Sequence, residues 1–555
     1  MVRNSTRCLV GLAGISALIA GLVVTASAAG SPRSPIAFTE SGLVIGTTTS
    51  GVNQFLGIPY AAPPLGPLRW TPPKPYGLFH GFVLQATQFG GDCTQPTASG
   101  PFGSENCLFL NVFTPQNVLA DDLLEDHGRG LPVMVWIHGG GLVNGGAEIY
   151  DPTPMVKKGV IVVTMNYRLG YLGFFAQSAL DSEGHPAGNY GLMDQQFAFK
   201  WVRQNIAGFG GDPDQVTIFG ESAGGQSVYA HLASPTASRL FRGAISESGS
   251  TYEFQSYFDF IVSLTIGETI GTVFVPPGDN VAAGFGCSNP GETSSETSMC
   301  LRGLSASALV AVEPLGLFPF VDGTLLTQTP AQAFADGQFN RVPVIHGTNH
   351  DEWRAYVEGE YDFGVGPLTD AEYPAAVVAL FGDSVDNPFV QFLVDTEYPL
   401  SNYPPPPGVV SAPLALGALG TDWAFACPAR NADLLLSQYV PTYAYEFNDE
   451  NAPQGPLPPG LTFPLGADHG AEIQYLFNFE AVLGPFTPAQ QQLSDAMINY
   501  WTQFAKTGDP NSPDAPTWSP YTAGGSFESL LPPTPVPEPD ASFDTDHKCS
   551  SFWDL

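Results

Sequence analysis

Between residues 130 and 250, short β-branched runs alternate with stretches of helical spacing, and each run stops at a glycine or a polar turn. Pro132–Ile137, Val160–Asn166, Val216–Phe219 and Gly243–Ser246 are apolar nearly throughout, without polar alternation, which predicts strands buried on both faces in a largely parallel sheet. Phe197, Trp201 and Val202 recur at helical spacing within Asp194–Asn205, so this stretch reads as a crossover helix. Pro343–His346 and Thr442–Phe447 continue the sheet. From Tyr252 to about Leu315, and from Asp370 to Leu436, proline, glycine and helical pieces mix without strand order. These two segments are expected to be helical insertions over the sheet edge that carries the active site. The expected class is α/β: a large, mostly parallel central sheet flanked by helices.

The chain opens with Arg3 and Arg7, an apolar stretch from Leu9 to Val24, and then Ala26-Ser27-Ala28, the order of a secretory signal with small residues at its cut. Cleavage after Ala28 is expected, leaving residues 29–555 as one domain, since no repeat, charged tail or low-complexity linker divides them. A membrane anchor is the competing reading of the apolar stretch, but that stretch is barely long enough to span a bilayer. A secreted, extracellular protein without stable membrane insertion is the expectation.

Of 555 residues, 19 are basic and 53 acidic. Losing the leader removes two arginines and no acid, so 17 basic residues face 53 acidic ones, a net charge of −36. Such a surface repels nucleic acid and anionic membranes. In an oxidising compartment Cys93, Cys107, Cys287, Cys300, Cys427 and Cys549 can form three bridges, while Cys8 leaves with the signal. Six cysteines allow fifteen pairings. Chain order suggests Cys93 with Cys107 and Cys287 with Cys300, leaving Cys427 for Cys549. With no C-x-x-C and no H-E-x-x-H, no metal is expected, and no cofactor motif is present. The one N-glycosylation sequon, Asn4-Ser5-Thr6, falls in the leader.

Two glycine motifs carry chemistry. The run Val216–Phe219 passes straight into Gly220-Glu221-Ser222-Ala223-Gly224, followed by Gly225 and a helix-compatible stretch to Leu232. A sharp strand-to-helix turn needs small residues around the serine, which presents its hydroxyl as a nucleophile. The pattern alone is weak in a glycine-rich chain; its placement between a β run and a helix gives it weight. Pro132–Ile137 ends in His138-Gly139-Gly140-Gly141, where bare backbone lets N–H groups approach an anionic tetrahedral intermediate. No lysine followed by serine or threonine succeeds these glycines, which argues against a phosphate cradle. Gly140, Gly141 and Ala223 are the expected oxyanion donors.

These segments resemble the type-B carboxylesterase and lipase family, which includes the cholinesterases. The likeness runs through Phe55–Tyr60, Glu105–Val112, Asn166-Tyr167-Arg168, Gly191–Gln195 and Phe209–Pro213, and later through Cys427-Pro428 and Gly508–Asn511. It implies an α/β-hydrolase fold and hydrolysis of small-molecule esters. Gly347–Glu352 is similar to the family segment that ends in the triad acid, which makes Glu352 that acid and Asp351 the runner-up. Gly466–Gly470 is similar to the catalytic histidine segment, which makes His469 the base. His138 reads as a loop-fixing residue, and His350 as a solvated neighbour of the acid.

The Cys93–Cys107 loop holds thirteen residues and no tryptophan. In the family's lipases this loop is a longer lid, and in its cholinesterases it carries a tryptophan for the choline cation, so the resemblance favours a lidless carboxylesterase. A true lipase acting on triacylglycerols or sterol esters is the runner-up. A catalytically silent relative kept for binding is the alternative of a different class. Leu142, Phe318, Phe320 and Trp353 are expected to wall the substrate pocket. Activity is expected to fall as pH drops below the histidine pKa, nominally about 6.5.

Overall fold

Eleven strands share one sheet in the computed structural model, which describes residues 34–118, 130–186, 188–249, 277–288, 291–313, 317–381, 384–385, 387–454 and 460–553. The leader and its cleavage point lie outside the described residues, as does most of the first half of the earlier insertion. In chain order the strands are β1 (Thr47–Thr49), β2 (Val52–Pro59), β3 (Phe109–Pro115), β4 (Leu131–Ile137), β5 (Ile161–Met165), β6 (Gly211–Glu221), β7 (Gly243–Glu247), β8 (Val344–Asn349), β9 (Thr442–Phe447), β10 (Ser526–Leu530) and β11 (Val536–Pro539). In space they run β1-β2-β3-β5-β4-β6-β7-β8-β9-β10-β11. From β5 to β10 every neighbouring pair is parallel, while β1 to β3 and β11 form antiparallel margins.

The unbroken apolar runs are explained by two cores. Val133, Val135 and Ile137 of β4 pack into one cluster, and Met134 and Trp136 into the cluster on the opposite face. Strand β5 repeats this, with Ile161, Val163 and Met165 on one side and Val162 on the other. Period-two side-chain alternation inside a doubly covered sheet thus leaves no polar position to mark it. The crossover helix begins earlier than the sequence suggests, at Tyr190, because Asp194 in its second turn is buried against Arg168 at 2.7 Å rather than serving as a cap.

The later insertion is helical, with helices at Tyr373–Phe381, Ala412–Thr421 and Cys427–Leu436 and a core of its own around Tyr373, Leu419 and Trp423. The earlier one contributes helices at Pro277–Gly284 and Ser294–Gly303, the second opened by a Thr293–Glu296 capping box.

Three disulfides join Cys93 to Cys107, Cys287 to Cys300 and Cys427 to Cys549, the pairing that chain order suggests. The third spans 122 residues and ties the end of the chain to the later insertion. Beside it the His547 imidazole is buried between Asp422 and Glu446, 2.6 Å from each. Burial opposes its charge, but the two carboxylates outweigh that and push its pKa up to about 10.

Replacing Cys427 and Cys549 together by serine is expected to lower stability by about 2–5 kcal/mol, read as a reduced urea midpoint with β-sheet content retained. The long loop closed by this bridge makes its loss costlier than loss of the Cys287–Cys300 bridge.

Candidate active site

Strand β6 and the helix α1 (Ala223–Ala233) meet at Ser222 with no loop between them. The serine takes φ 56° and ψ −122°, a conformation that costs a non-glycine residue about 1–3 kcal/mol. Its N–H donates to the Glu247 carbonyl at 2.9 Å, which anchors the turn to β7. A Cβ on Gly224 would stand 1.9 Å from the Ile137 carbonyl oxygen, and one on Gly225 2.6 Å from that of Glu247. Close approach to the ends of β4 and β7 therefore demands glycine after the serine, and it presses Ser222 into a half-buried corner.

The His469 imidazole bridges two of the predicted residues: Nε2 is 2.7 Å from Ser222 Oγ, and Nδ1 is 2.5 Å from Glu352 Oε2. Glu352 is wholly buried, and its other carboxylate oxygen accepts from the Thr348 hydroxyl and the Asn349 N–H, both at 2.8 Å. With Nδ1–H donating to Glu352, Nε2 is left to accept the serine proton. Asp351 does not reach the imidazole. It pairs with Arg354 at 2.8 Å and accepts the Ala467 N–H at 3.0 Å, so it holds the histidine loop in place.

Asn349, which the sequence reading did not single out, adds a second tie: its amide donates to the Asp468 carbonyl at 2.7 Å and to Glu472 at 2.5 Å. Its position at the end of β8, three residues before the acid, was the available signal.

The donor geometry follows from peptide planarity, which sets each N–H opposite the carbonyl of the same peptide. The Gly139 carbonyl faces His138 Nδ1 at 2.8 Å, the Gly140 carbonyl accepts from Val143 and Asn144, and the Ser222 carbonyl accepts from Gln226 at 2.8 Å. The N–H groups of Gly140, Gly141 and Ala223 therefore point away from those partners, and Gly140 and Gly141 line the same cavity as Ser222. His138 is buried and stacked on Tyr167 at 4.4 Å, and burial lowers its pKa to about 4; the neutral ring fits a loop-fixing role. His350 is not simply solvated. It sits 3.1 Å from Asp351, and although burial works against its charge, that carboxylate lifts its pKa to about 9.

Acidic groups crowd this site. Glu221 Oε1 lies 3.3 Å from His469 Nε2. Burial raises the Glu221 pKa to about 7, against the pull of the imidazole. Glu247, also buried, is raised to about 8, and Glu472 stands well above the usual carboxylate range for the same reason. For His469, burial favours the neutral ring, but Glu221 and Glu352 more than reverse this, and its pKa stands above that of an ordinary histidine.

Ser222 and His469 open into a cavity of about 870 Å³. Its walls include Ile149, Tyr150, Phe318, Trp353, Phe425 and Phe479, and among the described residues no lysine or arginine lines it. Phe318 and Trp353, expected in the pocket wall, are among its lining residues. Leu142 and Phe320 are not. Leu142 is fully buried in the core behind the glycine turn, and the Phe320 ring covers Gly188, where a Cβ would come within 2.0 Å of it. Both sit one or two residues from the cavity, but Leu142 turns into the core and the Phe320 ring lies against Gly188. The Cys93–Cys107 loop is pinned to the glycine turn, with the Gln95 amide accepting from the Gly145 N–H and donating to the Gly145 carbonyl, both at 2.9 Å.

A sheet of this order, with a serine at the strand-to-helix corner after its central strand, defines the α/β-hydrolase fold. Residues 33–531 match the model of the carboxylesterase family. The chain is 35% identical to the cocaine esterase of Homo sapiens over 515 residues, 87% of this chain and 86% of that protein. It is 33% identical to the liver carboxylesterase of Sus scrofa over 564 residues, 91% of each. Among solved structures a thermophilic PNB esterase aligns with a TM-score of 0.69 at 30% identity, covering 93% of this chain and all of that one. The chain belongs to the carboxylesterase family and is a carboxylic ester hydrolase.

Glu221→Gln removes a negative charge beside Nε2 and so weakens proton binding by His469. The acid limb of the kcat/KM–pH profile is expected to move to lower pH by roughly one unit. Gly224→Ala is expected to lower activity at least 100-fold, on the order of losing one oxyanion donor, because the helix must move off Ile137 and carry the Ala223 N–H with it.

Proposed function

We propose that this chain is a secreted serine carboxylesterase that hydrolyses carboxylic esters through an acyl-enzyme on Ser222. The observation that carries this is the unbroken contact from the Ser222 hydroxyl through His469 to the buried Glu352 carboxylate. His469 takes the serine proton as Oγ attacks the ester carbonyl, and the N–H groups of Gly140, Gly141 and Ala223 hold the developing oxyanion. The imidazolium then gives its proton to the departing alcohol. Water attacks the acyl-enzyme with His469 again as base, and Glu352 keeps the ring in the productive tautomer throughout. The reaction needs neutral His469, so activity falls as pH drops through its pKa.

The cavity supports uncharged esters with bulky apolar or aromatic groups. Its walls are aromatic and aliphatic, its nearest charges are carboxylates, and its volume suits a ligand of drug size. The pinned Cys93–Cys107 loop supports an esterase without a mobile lid over a true lipase. Three disulfides support an oxidising, extracellular compartment, as does the leader-like start of the sequence. No helix among the described residues is long and apolar enough to cross a membrane.

A fluorophosphonate is expected to label Ser222 stoichiometrically, with the adduct located by peptide mass spectrometry; an unlabelled Ser222 in folded protein would instead indicate a silent binding relative. Ser222→Ala is expected to lower kcat by about 10⁴- to 10⁶-fold. Within one series of p-nitrophenyl esters, replacing the terminal methyl of the acyl chain by a carboxylate is expected to reduce kcat/KM at least tenfold, on the order of one unfavourable charge contact.

A further inference from the structure

Gln226 stands one helical turn beyond the nucleophile on α1, where its backbone N–H donates to the Ser222 carbonyl at 2.8 Å. It lines the cavity that holds Ser222, and only 9% of its surface is open. Its side-chain amide offers both donors and acceptors. Among the described residues neither its Oε1 nor its Nε2 has a hydrogen-bond partner, and Oε1 is closed off from solvent as well. The next residue on the helix is engaged: the Ser227 hydroxyl donates to the Ala223 carbonyl at 2.9 Å and accepts from Gln195 at 3.1 Å. So is the other buried amide of the cavity wall, since Gln474 Nε2 donates to the Pro453 and Ala471 carbonyls, both at 3.1 Å. Gln226 is therefore a buried amide beside the nucleophile that the fold leaves open, which costs stability until something bound there completes it.

Neither end of this amide is held by a bond, so a half-turn about its terminal torsion exchanges Oε1 with Nε2 at little cost. It can turn a donor or an acceptor toward a ligand, and a hydroxyl group matches both. Four residues of α-helix rise about 6 Å, which sets the amide a few bonds from an ester carbonyl held at Ser222. The wall around it is largely aromatic and aliphatic. A hydroxyl bound there is stripped of water, and its bond to the amide discriminates against an apolar substituent of the same size. We propose that Gln226 is a specificity-determining residue that selects esters carrying a hydroxyl group a few bonds from the reacting carbonyl. This rests on the serine-esterase reading above. The hydroxyl belongs either to the acyl part, as in a hydroxy acid ester, or to the alcohol part, as in a glycol monoester; the chemistry recognised is the same.

The test uses two pairs of esters in which a hydroxyl stands in for a methyl group: ethyl 3-hydroxybutanoate against ethyl 3-methylbutanoate, and 2-hydroxyethyl butanoate against propyl butanoate. Hydrolysis is followed by pH-stat titration in the native enzyme and in Gln226→Leu, which keeps the bulk of the side chain and removes the amide. The kcat/KM of the hydroxyl ester relative to its methyl partner is expected to be about tenfold higher in the native enzyme than in the variant, in at least one pair, as fits one hydrogen bond between neutral groups. The pair that responds shows which end of the substrate Gln226 reads. A structural effect of the substitution lowers both members of a pair alike and leaves their ratio unchanged. An unchanged ratio in both pairs, or enzyme that labels at Ser222 yet turns over neither hydroxyl ester, overturns the inference. Gln226→Met, unbranched and of similar size, repeats the comparison if the leucine variant does not fold. Failure of the underlying reading is separable, because native enzyme that hydrolyses none of the four esters and leaves Ser222 unlabelled by a fluorophosphonate refutes the serine mechanism whatever Gln226 does.

Discussion

How closely helix α1 can approach the end of β4 decides everything else at this site. A gap of 1.9 Å between a notional Gly224 Cβ and the Ile137 carbonyl leaves room for a hydrogen and nothing larger. That contact forces the chain to turn at one residue, which puts Ser222 into a left-handed conformation and aims the first N–H of the helix at the same space as the glycine turn after β4. Strain at the serine persists because strands on both sides overdetermine it: β4 supplies the carbonyl that limits the helix, and β7 accepts the serine N–H. Ser222 and the N–H groups proposed as oxyanion donors are thus placed by backbone packing.

The histidine is placed differently, by a short stretch after β8 that works in two directions. Glu352 reaches the imidazole, while Asn349 and Asp351 grip the backbone of the loop that carries it. Two adjacent acids in the sequence therefore divide the labour, one binding the ring and the other its loop. The surrounding buried glutamates raise the proton affinity of that ring, and their own burial limits how much negative charge they carry at neutral pH.

Much of this was legible in the residues. Strand runs such as Val216–Phe219 stood out because parallel strands buried on both faces show no alternation, and the serine corner announced itself through glycines that only close packing requires. Glu352 and His469 needed a family likeness, since composition cannot tell which of nine histidines meets Ser222 across 247 residues. Side-chain direction was the hardest part. Leu142 and Phe320 neighbour true wall residues, yet Leu142 adopts φ 60° and is turned into the core, a rotation that residue type does not encode.

The buried His547 also bears on how the insertion is joined to the sheet. Its imidazole cements Glu446, on a strand within the sheet, to Asp422 in the insertion. It works there as an internal counterion: without it two buried carboxylates would face each other with no cation between them, and the joint would repel instead of hold.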